Sequence, residues 1–238
     1  MKKLRILITA GPTIEPIDPV RFLSNHSTGK MGYALAKACV KHRHHVTLVT
    51  GPTILQAPKG CHVVPVKTAR EMHKEVMKVF KETDLVFKVA AVADYRVKHK
   101  SSKKIKKTHD SLSIELTKNP DILKDLGKKK KPQQTLVGFA AETHRGVSYA
   151  RQKLKEKNLD WIVLNEISKR NKGFGSDYNE VTLIANDGKK IKLPTKPKTE
   201  VAELILKTVL NIPLEEKNKF SFRHFNPVSI MKALREQL

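Results

Sequence analysis

Short apolar runs alternate with stretches whose apolar residues recur every three or four positions, and these two periods predict the architecture. Leu4 to Thr9 is an apolar run stopped by Gly11-Pro12, which reads as a first strand ended by a turn. From Met31 to His42 the spacing of Tyr33, Leu35, Ala36 and Val40 predicts a helix. Val46 to Thr50 and Val63 to Val66 read as further strands, Ala69 to Glu82 as a helix through Met72, Val76 and Phe80, and Leu85 to Ala91 as a strand buried over most of its length. Parallel strands need long crossovers, which helices supply. The alternation therefore predicts a Rossmann-like α/β fold, an open, mostly parallel sheet with helices on both faces.

Beyond Asp94 a lysine-rich stretch interrupts the pattern, with Ser113 to Thr117 as a short strand and Pro120 to Leu126 as a helix start. Leu136 to Ala140 and Trp161 to Asn165 return to the sheet, with a charged helix at Ser148 to Lys157 between them. Val181 to Ala185 and Lys190 to Leu193 flank Asn186-Asp187-Gly188, and Asp-Gly favours the positive dihedral angles of a tight turn, so a small β-hairpin is added. Thr199 to Leu210 is a last amphipathic helix. Residues 1–212 are predicted to form one domain, followed by an extension, 213–238, whose Phe220, Phe222 and Phe225 receive no role. No apolar run approaches the roughly 20 residues that cross a bilayer, and MKKLRILIT is too short an opening for a signal peptide. A cytoplasmic protein is expected. Cys39 and Cys61 lack metal-ligand spacing.

Charge changes the picture locally. The net charge is +24, and residues 98–131 hold 12 lysines against 4 acids, or 8 of that excess. Such a stretch either binds polyanions through counterion release or forms a solvated loop. Aromatic residues are 5% of the chain and none is interleaved among Lys98 to Lys107, so a base-stacking platform is missing and no specific nucleic-acid partner is expected.

Three segments carry candidate chemistry. Gly11 to Gly32 is a long loop after the first strand, where open parallel sheets bind ligands, and its Ser27-Thr28-Gly29 offers backbone N–H groups to an anion; the same residues also read as an ordinary capped helix start. A dinucleotide fingerprint is incomplete: only Gly29-Lys30-Met31-Gly32 remains of it, and Thr47 to Gly51, where a ribose-binding acid would fall, contains none. Ala90 to Arg96 follows a central strand, with small residues against which a ligand can lie and Asp94 as an acceptor for a sugar or as a turn cap. Lys104-Ile105-Lys106-Lys107, if extended, turns alternate lysines to one side.

Taken in order, SNHSTGKMG (Ser24 to Gly32), AAVADYR (Ala90 to Arg96), KIKK (Lys104 to Lys107), KNPDIL (Lys118 to Leu123), GFAAET (Gly138 to Thr143) and FGSDYNEV (Phe174 to Val181) resemble the signatures of bacterial phosphopantothenoylcysteine synthetase, a phosphopantothenate–cysteine ligase. The resemblance implies that 4'-phosphopantothenate and L-cysteine are joined through an acyl-cytidylate, with CTP as co-substrate and magnesium on its phosphates. It implies nucleotide contacts at Lys88, Val89, Ala90, Asp94, Lys104, Pro120, Asp121, Ile122, Leu123, Phe139, Lys153 and Lys157, and substrate contacts at Arg21, Asn25, Gly29 and Ala91. Asn25, Lys104 and Arg21 are the implied catalytic residues. Lys88 departs from the small or apolar residue usual there, and Pro12 removes one backbone donor from the first loop. Family enzymes are homodimers in which a loop of one subunit completes the neighbour's site. Because the likeness begins at about residue 5, a stand-alone form served by a separate decarboxylase is expected.

Overall fold

Burial alternates along the strands, so each strand feeds two apolar layers, and the layers dictate where the helices lie. The computed structural model describes residues 2–107, 110–167 and 175–213. From the amino end its elements are β1 (Arg5–Ala10), β2 (Ile14–Pro16), β3 (Phe22–Ser24), α1 (Lys30–Lys41), β4 (His45–Thr50), β5 (Cys61–Pro65), α2 (Ala69–Phe80), β6 (Leu85–Lys88), β7 (Tyr95–Val97), β8 (Leu116–Lys118), α3 (Ile122–Lys129), β9 (Thr135–Glu142), α4 (Gly146–Glu156), β10 (Trp161–Glu166), β11 (Tyr178–Ala185), β12 (Lys190–Pro197) and α5 (Lys198–Val209). Ile6, Ile8, Leu85 and Phe87 pack with α1 and α5 on one face, while Leu7 and Val86 pack with α2, α3 and α4 on the other. The predicted Rossmann-like α/β fold is the one observed.

The main sheet runs β12-β11-β10-β9-β6-β1-β4-β5, parallel from β10 to β5, with β11 and β12 antiparallel at one edge. The predicted hairpin forms and is longer than expected, with Gly188 at φ 92° in its turn. The predicted strand Leu85 to Ala91 stops at Lys88. Beyond it, the backbone N–H groups of Val89 and Ala90 both donate to Thr9 Oγ1, at 3.1 Å each, which bends the chain out of the ladder. The first loop carries the β2–β3 hairpin. The short strand expected at Ser113 to Thr117 lies at Leu116–Lys118, paired with β7 rather than with the main sheet. Among the described residues no helix is long and apolar enough to cross a membrane. Residues 214–238 and Phe174 lie outside the described residues.

Candidate active site

Strand order reverses around β1 and β6: the chain leaves β1 for β4 and β5, whereas it continues from β6 to β9 and β10. The connections part there, leaving a crevice at the carboxyl ends of the strands. A pocket of about 220 Å³ fills it, lined by Gly11, Gly29, Lys88, Ala91 and Phe139 among others. Two glycines let its walls approach. Gly29, at φ 81°, turns the chain into α1 with no side-chain cap. At Gly32 an added Cβ would lie 2.6 Å from Ala10 Cβ, so only glycine lets the helix sit this close to the end of β1.

The long loop is stitched to the segment beyond β6. Ala91 N donates to Gly11 O at 3.0 Å, Thr13 N to Ala91 O at 3.2 Å, and Ala93 N to Thr13 Oγ1 at 2.9 Å. Ser24 Oγ donates to Thr13 O at 2.9 Å. These contacts carry Asn25 to the crevice, where its Nδ2 donates to Ala91 O at 2.9 Å. An amide nitrogen bears two hydrogens, so the exposed Asn25 has a second N–H beside the one given to Ala91. This contact is made within one chain.

Arg21 is held away from the strand tips. Its guanidinium grips Asp18 Oδ2 through Nε at 3.0 Å and Nη2 at 2.5 Å, and Nη2 also donates to Ile105 O at 3.0 Å. Asp18 Oδ1 accepts from Val20 N and Arg21 N, each at 2.8 Å, and Oδ2 from Ile105 N at 3.2 Å. Hydrogen bonding from Arg21, then from these backbone donors, holds the Asp18 carboxyl well below the usual carboxylate range. Ser101 N adds a bond to Ile17 O at 3.0 Å. The lysine-rich segment is thus tied to the β2–β3 hairpin at two points. Lys104 projects exposed between them, as does Lys106 beyond Ile105.

The remaining predicted nucleotide residues flank Lys88. Burial, with Lys157 next, pushes the Lys88 ammonium down to about 8, while Asp121 and Asp94 partly offset this. Its Nζ donates to Ala90 O at 3.0 Å. Lys157 pairs with Asp121 at 2.8 Å and Lys153 with Glu142 at 2.7 Å. Asp121 also caps α3, accepting from Lys124 N at 3.0 Å. Pro120 is half-buried, and Ile122 and Leu123 are core side chains. Phe139 is half-buried against the α1 layer and faces the pocket. Asp94 is exposed, and its carbonyl accepts from Asn119 N at 2.8 Å. Thr13 and Asp18 fell within the candidate loop and Asn179 within the FGSDYNEV signature without a role of their own, and Thr9 and Lys198 lay outside every motif. Only Asp18-Pro19, a turn dipeptide, carried a local signal.

Among the described residues no group of three or more His, Cys, Asp or Glu is placed to hold a metal ion.

The family described as DNA/pantothenate metabolism flavoprotein C-terminal domain matches residues 1–212. The coenzyme A biosynthesis bifunctional protein CoaBC of Bacillus subtilis is 49% identical over 205 residues, 86% of this chain and 50% of that protein. Its counterpart in Escherichia coli K12 is 44% identical over 222 residues, 92% and 54% respectively. The chain spans about half the length of these curated relatives. The crystal structure of the C-terminal domain of a CoaBC protein superposes with a TM-score of 0.75 at 44% identity, covering 88% of this chain and 95% of that one. A Cab2 mutant in complex with phosphopantothenate-cysteine shares the fold at a TM-score of 0.70 and 18% identity, over 87% of this chain and 85% of that one. A family match over nearly the whole described length, joined to CoaBC relatives above 40% identity, makes this chain a member of the DNA/pantothenate metabolism flavoprotein C-terminal domain family.

Proposed function

We propose that this chain joins 4'-phosphopantothenate to L-cysteine in coenzyme A biosynthesis, using CTP and passing through an acyl-cytidylate. A carboxylate is a poor acyl donor. Attack of the phosphopantothenate carboxylate on the α-phosphate of CTP expels pyrophosphate and gives the acid a good leaving group. The cysteine amine then attacks the acyl carbon and CMP departs.

The observation that carries this reading is the meeting of Asn25 with Ala91 at the mouth of a strand-end pocket flanked by lysines. One Asn25 N–H is directed to the Ala91 carbonyl, and the other suits an acyl oxygen as negative charge builds on it. Lys104, poised on a segment hooked through Asp18 and Arg21, would meet the α-phosphate. Lys153 and Lys157, now paired with Glu142 and Asp121, would exchange those partners for nucleotide phosphates. Arg21 acts here as a positioning residue that holds the Lys104 segment. Magnesium would neutralise the triphosphate and the departing pyrophosphate. A homodimer and a decarboxylase acting earlier in the sequence belong to the same proposal, supported by the relatives' bifunctional names.

Pyrophosphate release from CTP or ATP, with phosphopantothenate and with or without cysteine, tests it. Release that requires phosphopantothenate but not cysteine is expected, with CTP the faster nucleotide. Release that requires cysteine as well would rule out activation of the acid before the amine attacks.

A further inference from the structure

One wall of the crevice is built from residues that the proposed chemistry leaves unused. Asn179, on β11, is 4% exposed and lines the pocket on the α1 and α5 side. Its side-chain oxygen is buried and, among the described residues, meets no hydrogen-bond donor. An unmet buried acceptor costs roughly 1–3 kcal/mol, which a donor brought by a ligand would recover. A half-turn of the amide exchanges its oxygen and nitrogen without moving the backbone, which lets the carbonyl swing to an incoming donor.

Beside it stands a short charged row. Lys198 opens α5, is 7% exposed and lines the same pocket; its backbone N–H is held by Asp177 O at 2.8 Å. Lys30, in the first turn of α1, pairs with Asp177 at 2.7 Å and also donates to Gly175 O at 3.3 Å. Two ammonium groups and one carboxylate thus stand together in this row, and an ammonium is a fitting partner for a carboxylate. Burial, and then Lys30, press the Lys198 ammonium below its ordinary value, so an arriving anion relieves a charge that the pocket holds at a cost.

The wall therefore offers an acceptor for N–H and an ammonium group, both in a pocket that also contains Ala91, the Asn25 contact. A group with an amine and a carboxylate on one carbon satisfies both at once. We infer that Asn179 and Lys198, with Lys30 and Asp177 behind them, form the subsite for the amino-acid substrate, Asn179 taking its amine and Lys198 its carboxylate. The inference rests on the proposed ligase reading. It adds where the second substrate sits and what selects it. An amine held by Asn179 would share the pocket with an acyl group held by Asn25 beside Ala91, which brings the two reacting groups of the second half-reaction into one cavity.

The test compares cysteine with cysteamine, which has the amine and thiol but no carboxylate, in the wild type, Lys198→Met and Asn179→Leu. The wild type should prefer cysteine in kcat/KM. Lys198→Met should raise the KM for cysteine at least tenfold and bring the two amines to within about threefold of each other. Asn179→Leu should weaken both amines alike. Pyrophosphate release from CTP and phosphopantothenate in the absence of cysteine should stay within about threefold of wild type in both variants, with each thermal midpoint checked. Equal losses in that first step would assign the wall to the nucleotide and overturn the subsite. An undiminished cysteine preference in Lys198→Met would do the same, and if that variant fails to fold, Lys198→Gln gives the same comparison. A wild type that releases no pyrophosphate under any combination would instead remove the ligase reading, and the subsite with it.

Discussion

Replacing Lys88 by methionine keeps the unbranched stem and removes an ammonium that the fold holds at a cost. The depression from 10.5 to about 8 corresponds to at most roughly 3 kcal/mol at pH 7, using about 1.4 kcal/mol per unit. Two effects reduce the gain. The side chain keeps some surface open to pocket water, and Ala90 O loses its 3.0 Å donor, worth about 1 kcal/mol. A net stabilisation of about 1–2 kcal/mol remains, which for a domain of this size raises Tm by about 2–8 °C. The sign of the pH dependence follows from proton binding. Below pH 8 both folded and unfolded chains carry the proton, so the full cost is present. Between about pH 8 and 10.5 only the unfolded chain does, so wild-type stability rises relative to the variant by up to about 1.4 kcal/mol per pH unit. Urea unfolding of both proteins at pH 7 and pH 9.5 measures the gap. It should be largest at pH 7 and shrink at pH 9.5. A variant less stable than wild type at pH 7, or a gap independent of pH, would refute the assignment of a strained buried ammonium at this position. The same variant should bind CTP more weakly, because the charges acting on the lysine are those of Lys157, Asp121, Asp94 and Lys153, the residues proposed to meet the nucleotide.

Asp18→Ala should release the Lys104 segment and speed tryptic cleavage between Lys103 and Lys107 at least tenfold, and unchanged cleavage would show that Ser101 alone holds it. In the wild type that tie is fully present above about pH 4 and is lost only as pH falls through the depressed Asp18 value. Gly32→Ala should destabilise by about 1–2 kcal/mol in urea titrations even though alanine favours helix, because its Cβ lands 2.6 Å from Ala10 Cβ; a stabilised variant would contradict the packing. Lys104→Gln should slow pyrophosphate release about 100-fold, roughly 3 kcal/mol, while Lys103→Gln changes it little, and equal losses would reduce the stretch to a general basic patch. Asn25→Asp should spare pyrophosphate release and slow product formation, so that the acyl-cytidylate accumulates in quenched-flow samples. Loss of the first step instead would make Asn25 a binding residue.

Hydrophobic periodicity was enough to recover the parallel sheet, because two-layer burial is written into Ile6, Leu7 and Ile8 and into Leu85, Val86 and Phe87. It misplaced the end of β6 because periodicity reports burial. Apolar Val89 and Ala90 look like a continuing strand, whereas their N–H groups are taken by the hydroxyl of Thr9, some 80 residues earlier. Lys104 and Asn25 were legible as motif positions. Their anchoring through Asp18 and Ala91 was not, since it depends on contacts between distant segments. The lysine stretch, whose charge reads as a polyanion-binding segment or a solvated loop, is hooked to the hairpin, because one Asp18 carboxylate gathers the Arg21 fork and two further backbone donors beside that of Arg21 itself. Asn179 was visible only as one letter of the FGSDYNEV signature and Lys198 not at all, for the same reason: an asparagine in a strand and a lysine at a helix start are ordinary until the fold turns them into one pocket.

The most direct measurement of the central claim follows oxygen. Phosphopantothenate carrying ¹⁸O in its carboxylate should pass one labelled oxygen to CMP in each turnover with CTP and cysteine, because the carboxylate oxygen that attacks the α-phosphate leaves with it. Mass spectrometry of the CMP reads this directly. Unlabelled CMP, or formation of CDP and inorganic phosphate in its place, would contradict an acyl-cytidylate and with it the chemistry assigned to this crevice.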